Sequence, residues 1–138
     1  MAKRHFHFTS PEEIEAAFYT AFVQADKDVM EALWAKDDAL CVHPGSTAIK
    51  GYDEVTRSWA HIFTDAVATD ITLRVIQRHR HDDIAVHVLE EHISVSGSEM
   101  PAALVIATNV YQKYDEGWLI VQHHASVIQP QHEGQTLQ

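Results

Sequence analysis

The chain has 138 residues, enough for one domain that buries about two-thirds of the surface its unfolded form exposes. Ten basic against 20 acidic side chains give a formal charge of −10, which excludes the basic face a nucleic-acid partner needs. A single cysteine, Cys41, excludes an intrachain disulfide and a cysteine-pair zinc knuckle, and no apolar run nears the roughly 20 residues of a membrane span.

One domain over 1–138 is expected, with a polar arm over 1–9 and a polar tail over 129–138. The start, Met1-Ala2-Lys3-Arg4-His5, lacks the apolar stretch of a secretory signal, so a cytoplasmic protein is expected. Ser10-Pro11-Glu12-Glu13 reads as a helix start: Ser10 as N-cap, Pro11 at the first helical position, Glu13 closing a capping box. Ile14, Ala17, Phe18, Ala21 and Phe22 then form one apolar stripe. Asp26 can cap a second, shorter helix that buries Val29, Met30, Leu33 and Trp34. Asp37-Asp38 ends it, and a strand over 39–42 runs into the turn set by Pro44-Gly45. A third helix, over about 53–65, presents Val55, Trp59, Ile62 and Phe63.

From residue 69 the helical period gives way to strand segments near 69–81, 84–96, 102–114 and 117–128. Asp82-Asp83, Ser96-Gly97-Ser98 and Asp115-Glu116-Gly117 separate them. Such short turns require antiparallel neighbours. Helices first and strands afterwards predict an α+β domain, the helices packed on one face of a curved antiparallel sheet. Residues 118–124 are apolar on both alternating faces, so the outer face also needs a cover. A homodimer through the sheet supplies one; a loop or the tail folded over it is the alternative.

The order of these elements resembles the nuclear-transport-factor-2-like superfamily, and within it the SnoaL-like and ketosteroid-isomerase-like proteins. The resemblance rests on residues 30–35 with Asp37-Asp38, Cys41-Val42-His43-Pro44-Gly45, Gly51 through Ser58-Trp59, residues 107–111, Gly117-Trp118, and His123-His124-Ala125-Ser126. It implies a cone: three N-terminal helices against a bent sheet enclosing a cavity, often dimeric through the sheet. The isomerases hold a catalytic aspartate where this chain has His43. Their oxyanion-binding tyrosine falls near Phe18, with Tyr19 adjacent, and their protonated aspartate near Val110, with Asn109 adjacent. Steroid isomerisation is therefore not expected, since that chemistry needs the base and both oxyanion donors.

The family's parity, taken with apolarity, sorts the strand residues. Val86 and Val88, Thr108 and Val110, and Gln122, His124 and Ser126 are expected inward; one bulge would exchange His123 for His124 and Asn109 for Val110. Phe18, Trp34, Cys41 and Trp59 would complete the wall. The site expected is a mostly apolar cavity for a small molecule of unknown identity, the polar groups being His43, His124, Gln122, Thr108 and Ser126. The other reading is that these groups satisfy one another and trapped water.

His43 can act as general base in an isomerase, lyase or hydrolase reaction, with His124 as hydrogen-bond partner, or its ring can cap a carbonyl in the 46–50 loop. Cys41, two residues away, reads as a structural thiol rather than a nucleophile. His5/His7 and His79/His81 are paired on extended segments, but two ligands beside Arg78 and Arg80 do not make a metal site, and neither metal nor cofactor is expected.

Overall fold

The computed structural model describes residues 6–100 and 103–129. Helix α1 runs Pro11–Gln24; the Ser10 hydroxyl accepts from the Glu13 N–H at 3.1 Å, as the capping pattern requires. Ala25, in the left-handed region (φ 51°), ends it, its N–H and that of Asp26 turning back to Phe22 and Ala21. Helix α2 (Lys27–Leu33) follows at once, capped by Asp26. Strands β1 (Leu40–Val42) and β2 (Ile49–Lys50) flank the Pro44-Gly45 turn, and α3 spans Tyr52–Thr64. Four long strands complete the chain: β3 (Thr69–His81), β4 (Ile84–Val95), β5 (Ala103–Tyr114) and β6 (Gly117–Val127).

The six strands form one sheet in the order β2-β1-β6-β5-β4-β3. The pairs β3–β4, β4–β5 and β5–β6 are antiparallel, as the short turns require. The pairing of β1 with β6 is parallel, which the all-antiparallel expectation missed. It places Cys41 opposite His123 and continues through a bridge between Trp34 and Ile120, so the end of α2 is tied to the last strand.

Ile14 and Phe18 from α1, Met30 and Leu33 from α2, and Val55 and Trp59 from α3 meet Ala85, Leu89, Tyr111, Trp118 and Ile120 in one core. The helix-facing side of the sheet is occupied by these large side chains. Burying such aliphatic and aromatic groups is worth roughly 1.5–3 kcal/mol each before entropy is counted.

Two register shifts matter. Ile76 interrupts β3, and Val121 is the extra residue on β6 opposite Val110/Tyr111. The second keeps Ile120 facing the helices and then turns His123 and Ala125 the same way, leaving His124 and Ser126 on the outer face. The parity of β4 and β5 also differs from expectation. Ala85, His87, Leu89 and Glu91, with Val105, Ala107, Asn109 and Tyr111, face the helices, whereas Val86, Val88, Thr108 and Val110 are partly exposed on the far side. The reason is physical: α1 brings Glu15 and Tyr19 to partner His87, Glu91 and Asn109, so the polar alternation could be the buried one.

The segment read as a polar arm is partly anchored. Phe8 is buried, and its carbonyl accepts from the Trp118 N–H at 2.9 Å. Gly117 sits under this contact with φ 106°, and a Cβ there would lie 2.7 Å from the Phe8 carbonyl oxygen. Gly117→Ala is therefore expected to lose on the order of 2–3 kcal/mol in urea unfolding, combining left-handed strain with a backbone clash. Gly97→Ala, equally left-handed (φ 78°) but in open space, should lose only about 1 kcal/mol. Equal losses would remove the clash from the account.

Candidate functional site

His43 lies just past β1, on the same face as Cys41. Its turn is closed by backbone: the His43 N–H donates to Ser46 Oγ at 3.1 Å and the Ser46 N–H to the His43 carbonyl at 2.9 Å. The ring does not cap the loop. It reaches across to α3, where Nε2 lies 3.0 Å from Ser58 Oγ. Because the Ser58 hydroxyl donates to the Val55 carbonyl at 2.7 Å, its oxygen is left to accept. Nε2 must then carry the ring proton, and Nδ1 is the bare nitrogen. Burial holds the His43 pKa below the usual imidazole value, so the ring is neutral at pH 7.

A groove of about 470 Å³ opens beside this ring, lined by His43, Ile49, Glu54, Arg57, Ser58, His61 and Ile62. It lies between α3 and the β1–β2 turn, not inside the sheet. Trp59 backs it, stacked edge-on against His43 with ring centroids 4.8 Å apart. Cys41 Sγ lies 3.6 Å from His43 Nε2 and 4.0 Å from Nδ1, but burial pushes the thiol pKa up to about 12, so no thiolate nucleophile forms there. Ser58 is no nucleophile either: its proton is committed to the helix backbone, and its imidazole neighbour is a donor to it.

Behind Trp59 the interior is unexpectedly polar. His123 Nδ1 donates to Asn109 Oδ1 at 2.5 Å, Asn109 Nδ2 donates to the Tyr19 hydroxyl at 2.9 Å, and Tyr19 donates to Glu91 Oε2 at 2.6 Å. His123 also packs against Phe18 and Trp59 at 5.1 and 5.8 Å between centroids. Burial, helped by the neighbouring His43 and His124, lowers the His123 pKa to about 3, so it stays neutral. Burial raises Glu91 to about 7 despite the bond from Tyr19.

A second cluster sits nearer the edge. His87 Nδ1 lies 2.8 Å from Glu15 Oε1, and Arg78 donates to Glu15 Oε2 at 2.5 Å. Burial pushes Glu15 up, but the bonds from His87 and Arg78 outweigh it and hold the carboxyl below its ordinary value.

Of the expected site residues, His43, Phe18, Trp34, Cys41 and Trp59 are gathered on the helix-facing side, the last four as fully buried core. Val86, Val88, Thr108, Val110, Gln122, His124 and Ser126 are not with them. His124 lies opposite Val42 on the outer face, so it cannot partner His43 as expected; His123, one bulge away, takes the inner position. Sequence reasoning missed Ser58 and the groove wall of Ile49, Arg57, His61 and Ile62. It also missed Glu91 and the Glu15–His87 pair, although the i, i+4 spacings of Glu15/Tyr19 and His87/Glu91 offered a signal. Tyr19 and Asn109, adjacent to the positions of the isomerases' oxyanion donors, are the inward residues. Tyr19 spends its proton on Glu91, and Asn109 donates to Tyr19. Among the described residues no three His, Cys, Asp or Glu side chains converge as metal ligands would; His5 lies outside them. No described helix is long and apolar enough to cross a membrane.

A SnoaL-like domain model matches residues 12–130. The chain belongs to the SnoaL-like family. This SnoaL-like chain is 32% identical to a Thiobacillus denitrificans protein, provisionally named a calcium/calmodulin-dependent protein kinase type II association domain. Their structures agree with a TM-score of 0.86 over 91% of this chain and 100% of that one. A Streptomyces avermitilis protein, provisionally named a dehydratase of the NTF2-like family, is 30% identical with a TM-score of 0.77, over 85% and 92% of the two chains. F-box protein SKIP8 of Arabidopsis thaliana is 25% identical over 116 residues, 83% of this chain; the chain spans about half the length (48%) of that curated relative.

The raised Glu91 pKa has a consequence for stability. A carboxyl that binds its proton more tightly when folded contributes stability that is full below its unfolded value of 4.5 and lost as pH rises through about 7. Against Glu91→Gln, the wild-type unfolding free energy should fall by about 3 kcal/mol across that window, read from urea titrations at pH 4.5 and 7.5. Parallel pH profiles for the two proteins would refute the assignment.

Proposed function

We propose that this SnoaL-like protein binds a small, largely apolar molecule carrying one hydrogen-bond donor, in the groove beside His43. The observation that carries this reading is the ring's hydrogen-bond arithmetic. Nε2 is committed to Ser58, the ring is neutral, and Nδ1 is its only acceptor. Ile49 and Ile62 supply apolar walls to the groove. A hydroxyl or N–H on an apolar body matches both features.

2-Naphthol, followed by its fluorescence, provides the probe, with 2-methoxynaphthalene as the analogue lacking the donor. Wild type should prefer 2-naphthol by about five- to tenfold, the worth of one hydrogen bond in a half-buried site, and His43→Phe should abolish the preference. Equal affinity for the two compounds, or no binding of either, would defeat the reading.

The same neutral imidazole suits a general base in an isomerase, lyase or hydrolase reaction, and the name given to the Streptomyces relative supports that second reading. A substrate whose donor proton is abstracted at Nδ1 would be the ligand described here, so catalysis would extend the binding site rather than replace it.

A second copy of the chain is the cover proposed for the outer sheet face. Val86, Val88, Ile106 and Val110 make a half-exposed apolar centre there, with the Arg74–Glu90 ion pair toward the edge strand. The naming of the Thiobacillus relative as an association domain supports this reading. Light scattering at micromolar concentration should give twice the 15.6 kDa chain mass, and Val88→Lys with Val110→Lys should give the single mass. A wild-type monomer would rule it out.

A further inference from the structure

The polar chain behind Trp59 has a property that neither end explains alone. Its four members, one each from α1, β4, β5 and β6, are joined by three consecutive bonds of 2.5, 2.9 and 2.6 Å, all donating in one direction, from His123 toward Glu91. Each interior member both donates and accepts. The Asn109 amide can present either oxygen or nitrogen to each neighbour by rotating half a turn. Tyr19 can receive from either side. The chain can therefore run in two directions with the same heavy-atom positions.

We propose that Glu91, Tyr19, Asn109 and His123 form a two-state switch in which proton uptake by Glu91 reverses every bond in the chain and moves the His123 ring proton from Nδ1 to Nε2. With Glu91 ionised, its oxygen accepts from Tyr19, Tyr19 accepts from Asn109, and His123 must donate from Nδ1. Once Glu91 is protonated, its new O–H needs an acceptor in a buried site, and the Tyr19 oxygen is the one already in place. Tyr19 then donates to Asn109 Oδ1, and Asn109 Nδ2 donates to a bare His123 Nδ1. One proton enters from solvent at Glu91. The ring's Nδ1 proton leaves to water and another arrives at Nε2, so His123 remains neutral throughout.

The surroundings favour this outcome over simple charging of the ring. Phe18, Trp59 and Cys41 enclose His123, and a charge there would face His43 and His124, both of which weigh against it. Glu91 meets Tyr19 from α1 and Leu73 across from β3, and Tyr111 on β5 responds to its charge as well as to Glu15 and Arg78. The Glu15–His87–Arg78 cluster is bonded within itself and is not hydrogen-bonded to this chain among the described residues. The raised Glu91 pKa near 7 puts the exchange within the neutral range. Its output is a buried ring nitrogen, Nε2, that is bare above that range and carries a proton below it, behind Trp59 at the back of the His43 groove. The switch stands on the chain's own geometry and is independent of the ligand reading.

The test is the histidine tautomer, read from two-bond ¹⁵N–¹H correlation spectra of ¹⁵N-histidine-labelled protein at pH 8.5 and 5.5. His123 should be an Nδ1–H tautomer at pH 8.5 and predominantly Nε2–H at pH 5.5. Glu91→Gln should keep one tautomer at both, and Tyr19→Phe, which interrupts the chain while preserving the ring, should also abolish the exchange. A wild-type His123 that holds one tautomer across this range would overturn the proposal. So would a doubly protonated ring at pH 5.5, or an exchange that persists in either folded variant.

Discussion

Two carboxylates on the covered side of the sheet, Glu15 and Glu91, constrain everything around them. An ionised carboxylate taken from water without partners costs several kcal/mol, so its partners have to be built into the fold. Helix α1 and strand β4 solve this reciprocally: α1 supplies Glu15 and Tyr19, and β4 supplies His87 and Glu91. These contacts sit one helical turn apart on α1 and at matching residues four apart on β4, so satisfying one fixes the lateral position of the other. The aromatic core forms around that pin. Phe18, between Glu15 and Tyr19 in sequence, is thereby aimed at Trp59 and His123.

How much of this was legible in the sequence differs by level. The Ser10 and Asp26 caps, the three helices and the four long strands follow from local chemistry, and local chemistry is what a sequence displays directly. The parallel contact between β1 and β6 is a long-range choice with no local mark, and it was missed. Face assignment failed for a related reason. On β4, Val86 and Val88 look like core and His87 and Glu91 look like surface, which is the usual transfer argument. That argument reverses when a helix delivers matched partners, and no single strand shows that its partners exist. On β6 the error came from Val121, an ordinary apolar residue that becomes an extra residue only because β5 skips it.

The family assignment explains the architecture and leaves the chemistry to the residues. The aspartate slot of the isomerases holds an imidazole whose proton is fixed by Ser58, and the positions beside their oxyanion donors hold a phenol and an amide bonded onward to Glu91 and His123. The buried polar residues are turned toward Glu91, while the groove beside His43 sets Ile49 and Ile62 among Glu54, Arg57, Ser58 and His61. The groove beside His43 and the buried chain ending at His123 are thus separated by the thickness of a single indole, Trp59.

The parallel seam between β1 and β6 also bears on how the chain is made. Leu40 and Gln122 are neighbours in space, yet nearly the whole meander must be synthesised between them. During translation the helices can lean on β3 to β5 as these emerge, but β1 and the end of α2 keep an unpaired edge until the final strand leaves the ribosome. The last strand to appear is the one that docks the first, so a chain cut short within β6 would leave β1 without its parallel partner.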